Sequence, residues 1–202
     1  MAILCTDAGH GGPDSGAIWG NVMEKDINLI YTLALNKELK KRGHKVYTTR
    51  KSDSNVAPLR TRCELINKHH VLNSPKFDLI ISIHCNVAVS YDTETGQYRP
   101  LKSRRGLYAI YSAESDLSTK LAKSIADTCK NADIQLSHGG LVSTIELGRT
   151  LAWIHRTLPP AVLVELGYMT NDQDLELLEE SKYQKKLIET LTNGIENFLS
   201  KN

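Results

Sequence analysis

Four side chains in this sequence have the types and placement for hydrolytic chemistry. His10 lies within Asp7-Ala8-Gly9-His10-Gly11-Gly12, directly after the apolar run Ala2-Ile3-Leu4-Cys5. A glycine-rich turn at a strand end lets a ligand or metal approach the backbone closely. In an open α/β sheet that is where ligands bind. His84 ends a second apolar run, Leu79-Ile80-Ile81-Ser82-Ile83, and Glu165 ends a third, Ala161-Val162-Leu163-Val164. If these strands are parallel neighbours, their ends converge. Strand alternation sets Ser82, His84 and Asn86 on one side, with Ile83 and Cys85 on the other. Glu165, between Val164 and Leu166, needs a partner or a raised pKa, because burying an unpaired carboxylate is costly. Glu24 opens a helical segment, where the macrodipole favours an acid. Asn28, one turn on, shares its face. Two imidazoles, one carboxylate and an open fourth position match the catalytic zinc pattern, and a further glutamate then fits a general base. A phosphate-cradling loop is the weaker reading of the glycines. Gly9, Gly11 and Gly16 do not form G-x-G-x-x-G, no Gly-Lys-Ser/Thr follows, and Asp14 repels an anion.

The elements that must position these groups alternate in type. Strand-like runs are Ala2–Cys5, Lys45–Thr49, Leu79–His84, Leu107–Tyr111 and Ala161–Leu166. Helical periodicity marks Glu24–Arg42, with Ile27, Ile30, Tyr31, Ala34, Leu35 and Leu39 on its stripe and a basic last turn before Gly43. It also marks Ser115–Lys130, with Leu117, Leu121, Ile125 and Cys129 a turn apart. Further helices are expected at Pro58–Asn73, Gly148–Arg156, Asp172–Leu178 and Tyr183–Leu199. This alternation predicts an α/β fold: a single twisted, mainly parallel sheet of about six strands, flanked by helices on both faces. Val87–Arg105, polar and charged, is the longest expected loop.

The 202 residues suit one domain over 1–202 with a sizeable core. A net charge of +2 demands no nucleic-acid partner, and Lys102-Ser103-Arg104-Arg105 reads as a solvated loop. No apolar run approaches the ~20 residues of a membrane span. The start has no basic segment followed by a long apolar one, so synthesis in the cytoplasm without a signal peptide is expected. Cys5, Cys63, Cys85 and Cys129 form no Cys-x-x-Cys; they are expected as buried reduced thiols rather than a thiolate zinc site.

Taken together, these residues resemble the zinc-dependent N-acetylmuramoyl-L-alanine amidases, the type 3 group, over nearly the whole chain. The resemblance rests on Asp7 to Gly16, Glu24 with Asn28, Thr49-Arg50, Arg60 and Arg62, Ile81 to Asn86, and Pro160 to Asn171. It implies one zinc ion on His10, Glu24 and His84, Glu165 as the catalytic glutamate, and peptidoglycan as substrate. The bond cut is the amide between the lactyl group of N-acetylmuramic acid and L-alanine. Asn86, Asn28 and His155 are candidate substrate contacts; the family often has arginine where His155 stands, five residues before Pro160. Asp7 or backbone carbonyls are candidates to orient the ligand imidazoles. The segment between Asn86 and Gly106 is short and polar, unlike the plugging helix of regulated cell-division members. This implies an open, unregulated site, as in a phage endolysin or a spore or mother-cell lysis enzyme, reaching the wall after holin- or lysis-dependent release. A zinc peptidase cutting elsewhere in the stem peptide, and a non-catalytic wall-binding module, are the alternatives. Nothing in the sequence indicates an oligomeric state.

Overall fold

The computed structural model describes residues 1–73 and 75–201; residues 74 and 202 of the expected domain lie outside the described residues. The apolar runs form the centre of a six-stranded sheet. Its strands are β1 (Ile3–Ala8), β4 (Lys45–Thr48), β5 (Leu79–Asn86), β8 (Leu107–Tyr111), β9 (Leu136–Ser143) and β10 (Ala161–Tyr168), in the order β4-β1-β5-β10-β8-β9. From β4 to β10 all neighbours are parallel; β8 runs antiparallel to β10, and β9 is parallel to β8. The sheet is therefore mainly parallel, as the sequence predicts. The register aligns Asp7 with Ser82 and His84 with Glu165. Three polar strand ends are thereby gathered at one edge of the sheet.

Helices cover the two faces unequally. The first face carries α1 (Glu24–Lys41), α3 (Asp116–Asn131) and α6 (Ser181–Leu199). Leu4, Ile81, Ile83, Val162 and Val164 pack there against Leu35, Leu121, Ile125, Leu191 and Ile195 in one buried cluster. Each such side chain contributes about 1.5–3 kcal/mol on removal from water. Arg42 ties α1 to α6 through Asn193 and Glu196, both at 2.6 Å. On the second face stand α2 (Leu59–Leu72) and the single-turn α4 (Ala152–His155). They pack on a smaller cluster that includes Ile80, Ile110, Trp153 and Leu163. Strand alternation sends Asp7, Ser82, His84 and Glu165 to this thinner-covered face. One 14-residue helix and a single turn stand on this face, and a cavity remains over the polar strand ends.

The chain departs from the sequence expectation in several places. β9 escaped periodicity because His138, Gly139 and Gly140 all have positive φ and bulge the strand, shifting its register against β8. The segment expected as a loop over Val87–Arg105 contains a hairpin, β6 (Val89–Asp92) with β7 (Gln97–Pro100). A tight hairpin of β2 (Ile18–Trp19) and β3 (Val22–Met23) precedes α1. The helix expected over Asp172–Leu178 is present as α5 (Asp172–Glu179), started by an Asn171 cap. The expected helix over Gly148–Arg156 contracts to α4. Ile30 and Leu117, counted on buried stripes, are exposed at 55% and 40%. All four cysteines are buried free thiols.

Candidate active site

Glu24 is the hub of the polar cluster. As the first residue of α1 it is delivered to the sheet mouth by the β2–β3 hairpin, its backbone N–H donating to Ala17 O at 2.9 Å. One carboxylate oxygen, Oε1, lies 3.0 Å from His84 Nδ1 and accepts from Cys85 N–H and Asn28 Nδ2, each at 3.2 Å. The other, Oε2, lies 3.2 Å from His10 Nε2 and accepts from Ala17 N–H at 3.0 Å. Burial raises its pKa, but hydrogen bonds and charges from His10 and His84 outweigh this and hold the carboxyl far below its ordinary range. His10 feels burial downward, yet its bonds to Glu24 and to Asp14 Oδ2, 2.9 Å from Nδ1, raise it to about 9.

Ligand atoms from His10, Glu24 and His84 lie within 4.8 Å of one another. Two imidazoles and one carboxylate converging from a loop, a helix start and a strand end form a donor set suited to zinc. The glycines make room for it. A Cβ on Gly9 would stand 2.3 Å from the His84 ring, and one on Gly16 would stand 2.6 Å from both Glu24 Oε2 and His10 Cδ2. The close ring approach therefore depends on residues without side chains.

Two buried arginines brace the loop that carries His10. Arg50 donates from Nε to Ala8 O at 3.0 Å and from Nη2 to Gly9 O at 3.1 Å and Lys25 O at 2.7 Å. Arg62 donates to Ala8 O and, at 2.6 Å, to His10 O, and pairs with Asp7 at 3.0 Å. These bonds hold His10 at φ +63°, a left-handed conformation a non-glycine residue adopts only when its surroundings impose it. Asp7 does not touch an imidazole. It accepts from Arg62, Ser82 and Thr49, and the acid beside His10 is Asp14 instead. Sequence reasoning placed Arg50 and Arg62 in the pattern but gave them no role, because their carbonyl partners become visible only when the loop is folded over them.

Glu165 stands next to His84 across the β5–β10 pair. The residue is part-exposed at the mouth, while its Oε2 is shut from solvent and has no hydrogen-bond partner among the described residues. Burial raises its pKa first, His84 pulls it down and Glu24 pushes it up, with His10 and Arg149 lowering it further; the balance stands at about 7. A carboxyl poised there can both accept and donate a proton near neutrality.

A cavity of about 580 Å³ lies over this cluster, lined by His10, Glu24, His84, Asn86 and Glu165 and floored by Ile110 and Leu163. Of the three expected substrate contacts, Asn86 alone lines it. Its Nδ2 donates to the Tyr108 hydroxyl, and its Oδ1 accepts from Val87 N–H at 2.7 Å. Asn28 is fully buried and does not line the cavity; its Nδ2 donates to Glu24 Oε1 and to Gly9 O, both at 3.2 Å. His155 lies outside the cavity: its Nδ1 accepts from Leu151 N–H at 3.0 Å and its Nε2 is 3.3 Å from Thr144 Oγ1. The residue is exposed and lines a neighbouring groove with Arg60 and Arg156 rather than the cavity itself.

The sequence profile of the family described as N-acetylmuramoyl-L-alanine amidase, Amidase_3, matches residues 4–197. The chain is 28% identical over 203 residues to the germination-specific N-acetylmuramoyl-L-alanine amidase of Bacillus subtilis, covering 96% of this chain and 78% of that protein. It is 27% identical over 199 residues to the endolysin of Bacillus phage SPP1, covering 98% and 66%. Among solved structures, the amidase AmiC2 of Nostoc punctiforme superposes with a TM-score of 0.78 at 27% identity, over 98% of this chain and 97% of that one. The chain belongs to the N-acetylmuramoyl-L-alanine amidase family Amidase_3, whose members hydrolyse cell-wall peptidoglycan.

Proposed function

We propose that this chain is a zinc-dependent amidase that cuts between the lactyl group of N-acetylmuramic acid and L-alanine, acting as a single catalytic domain. His10, Glu24 and His84 hold the ion, and Glu165 moves the protons. The observation that carries this reading is Glu165: a carboxyl with an unpartnered buried oxygen, beside a ligand imidazole and facing the cavity. When bound, zinc supplies Lewis acidity for the scissile carbonyl and acidity for an attacking water.

The remaining steps belong to the protein. The cavity receives the lactyl amide with its carbonyl toward His10 and His84. Glu165 accepts the proton of the attacking water and delivers it to the departing L-alanine nitrogen, so no covalent intermediate is needed. Asn28 and Ala17 N–H fix the Glu24 carboxylate, and Asp14 fixes His10, which keeps the ligand atoms preorganised. Asn86, its amide already set by Val87 and Tyr108, is the substrate-positioning side chain at the mouth.

The site is open without an activator. Of residues 87–105 only Val87 lines the cavity, and the rest carries the β6–β7 hairpin rather than a helix. No helix among the described residues is long and apolar enough to cross a membrane. We further propose that the enzyme reaches its wall substrate after holin- or lysis-dependent release, as a lysin or a mother-cell enzyme does.

Mass spectrometry of digested peptidoglycan tests the bond assignment. A new lactyl carboxyl together with a new L-alanine amine is the expected product pair. New termini elsewhere in the stem peptide would make the chain a zinc peptidase, and wall binding without lysis would make it a binding module. Activity of the purified chain without added protein is expected; a requirement for an activator would overturn the open-site reading.

A further inference from the structure

The proposed mechanism leaves one charged group in the cavity wall without a task. Besides the histidines, the cations lining it are Arg62 and Arg149. Arg62 is committed to Asp7 and to the carbonyls of Ala8, His10 and Ala57. Arg149 is exposed, and its side chain makes no hydrogen bond or ion pair among the described residues. Its position is nonetheless built. The turn after β9 is closed by Leu147 N–H to Ser143 O at 2.9 Å and Gly148 N–H to Ile145 O at 3.0 Å. Glu146 Oε2 accepts from Ser143 N–H and Oγ at 2.7 and 2.8 Å. Gly148, at φ +68°, then turns the chain so that Arg149 faces the cavity.

The direction of the reaction says which part of the substrate reaches it. The carbonyl sits over the metal ligands, and the departing nitrogen must lie against Glu165 to be protonated. The peptide half therefore leaves along the Glu165 side of the cavity. On that side the wall continues two residues down β10 to Leu163 and across to its partner Ile110, with Leu151 and Trp153 beyond. This apolar stretch suits the alanine methyl. Arg149 lines the same cavity, near enough to Glu165 for the two charges to interact, and among the described residues it is the lining arginine with no hydrogen-bond or ion-pair partner.

We propose that Arg149 is a specificity residue that binds a carboxylate on the leaving peptide, next to the L-alanine whose amide is cut. The proposal rests on the assignment of Glu165 as proton donor to the leaving amine. Arginine presents paired N–H donors matched to a carboxylate, and a carboxamide at the same place offers neither the charge nor the two equivalent acceptors. Amidation of that carboxyl in a cell wall would then lower susceptibility to this enzyme.

The test compares N-acetylmuramoyl-L-alanyl-D-glutamate γ-methylamide, which keeps only the α-carboxylate, with the same compound as its α-carboxamide, using zinc-loaded wild type, Arg149→Ala, Arg149→Lys and Arg149→Glu. Wild type is expected to favour the free acid about tenfold or more in kcat/KM, carried by KM, with the preference shrinking as salt rises. Arg149→Ala cuts acid and amide at equal rates, Arg149→Lys keeps part of the preference, and Arg149→Glu reverses it; any effect of the lost charge on Glu165 changes kcat for both compounds alike. Because Arg149 is exposed and unbonded, its variants are expected to keep the wild-type circular dichroism and Tm. Equal rates on acid and amide for wild type, or a preference kept by Arg149→Ala, would overturn the proposal while leaving the amidase reading intact. Failure of wild type to release a lactyl carboxyl from either compound would overturn the amidase reading itself, and the two failures are told apart by product mass.

Discussion

Asp7 is the residue whose replacement most directly probes how the His10 loop is held. It is 1% exposed and accepts from Arg62 Nη1 at 3.0 Å, Ser82 Oγ at 2.7 Å and the Thr49 hydroxyl. Arg62 is 5% exposed, and Arg50, equally buried, is near enough for the two guanidiniums to repel. Asp7→Asn keeps the shape and removes the charge. Ser82 and Thr49 can rotate their hydroxyls toward the remaining carbonyl, but Arg62 cannot give up its proton or leave. Breaking a buried pair in this way costs about 3–5 kcal/mol, a large part of the typical total of about 5–15 kcal/mol. With a urea dependence of about 2 kcal/mol per molar, the midpoint of metal-free protein should fall by about 2 M. Arg62→Met should be comparably destabilising, and the double variant should cost clearly less than the sum, because it leaves neither charge alone. Equilibrium urea denaturation followed by circular dichroism measures all three. An Asp7→Asn variant within about 1 kcal/mol of wild type, or strict additivity in the double variant, would refute the claim that this pair anchors the loop.

Other outcomes follow from the same geometry. Gly9→Ala drives a methyl to 2.3 Å from the His84 ring, so zinc affinity by competitive chelation should fall tenfold or more (about 1.4 kcal/mol) while the fold persists; unchanged affinity would mean the ring approach does not depend on Gly9. His10 in metal-free protein is held near pKa 9 by Glu24 and Asp14, so zinc must displace its proton. Affinity should rise by about tenfold per pH unit between pH 7 and 9, and calorimetry in buffers of different ionisation enthalpy should detect the released proton. The raised pKa of Glu165 means that the folded chain binds its proton more tightly than the unfolded one. Its contribution to stability is therefore lost as pH climbs from about 4.5 toward 7, and metal-free Glu165→Gln should be more stable than wild type above pH 7 by a few kcal/mol, with no gain below pH 4. His84→Ala should lose its metal; stoichiometric zinc in that variant would remove His84 from the ligand set.

Much of the fold is legible because its strands are buried on both faces and read as apolar runs ended by polar residues. The runs over Leu79–Ile83 and Ala161–Val164 gave both strand type and the position of His84 and Glu165. Parallel neighbours then bring these ends together, as the register of His84 with Glu165 shows. β9 was not legible: His138-Gly139-Gly140 interrupts its pattern where the backbone turns left-handed. Nor was the β6–β7 hairpin, whose residues are nearly all exposed and so carry no apolar alternation. At the site, residue types gave candidate ligands: His10 sits between glycines after one apolar run, and His84 and Glu165 end two others. The bracing could not be read, because Arg50 and Arg62 act on backbone carbonyls, which every residue has. The hydrogen bonds of Asn28 and His155, the other candidate substrate contacts, were not legible for a related reason. A polar side chain near a site satisfies its neighbours first, and sequence distance does not reveal which neighbours those are.

In the proposed division of labour, three residues hold zinc and Glu165 only moves protons. Parallel determination of bound zinc and of lactyl-amide hydrolysis in wild type and Glu165→Gln tests it most directly. The expected result is one zinc per chain in both proteins and turnover lower in the variant by about 10²–10⁴-fold, the usual range for a general acid–base. Hydrolysis by Glu165→Gln at near wild-type rate with its zinc in place would contradict the central claim.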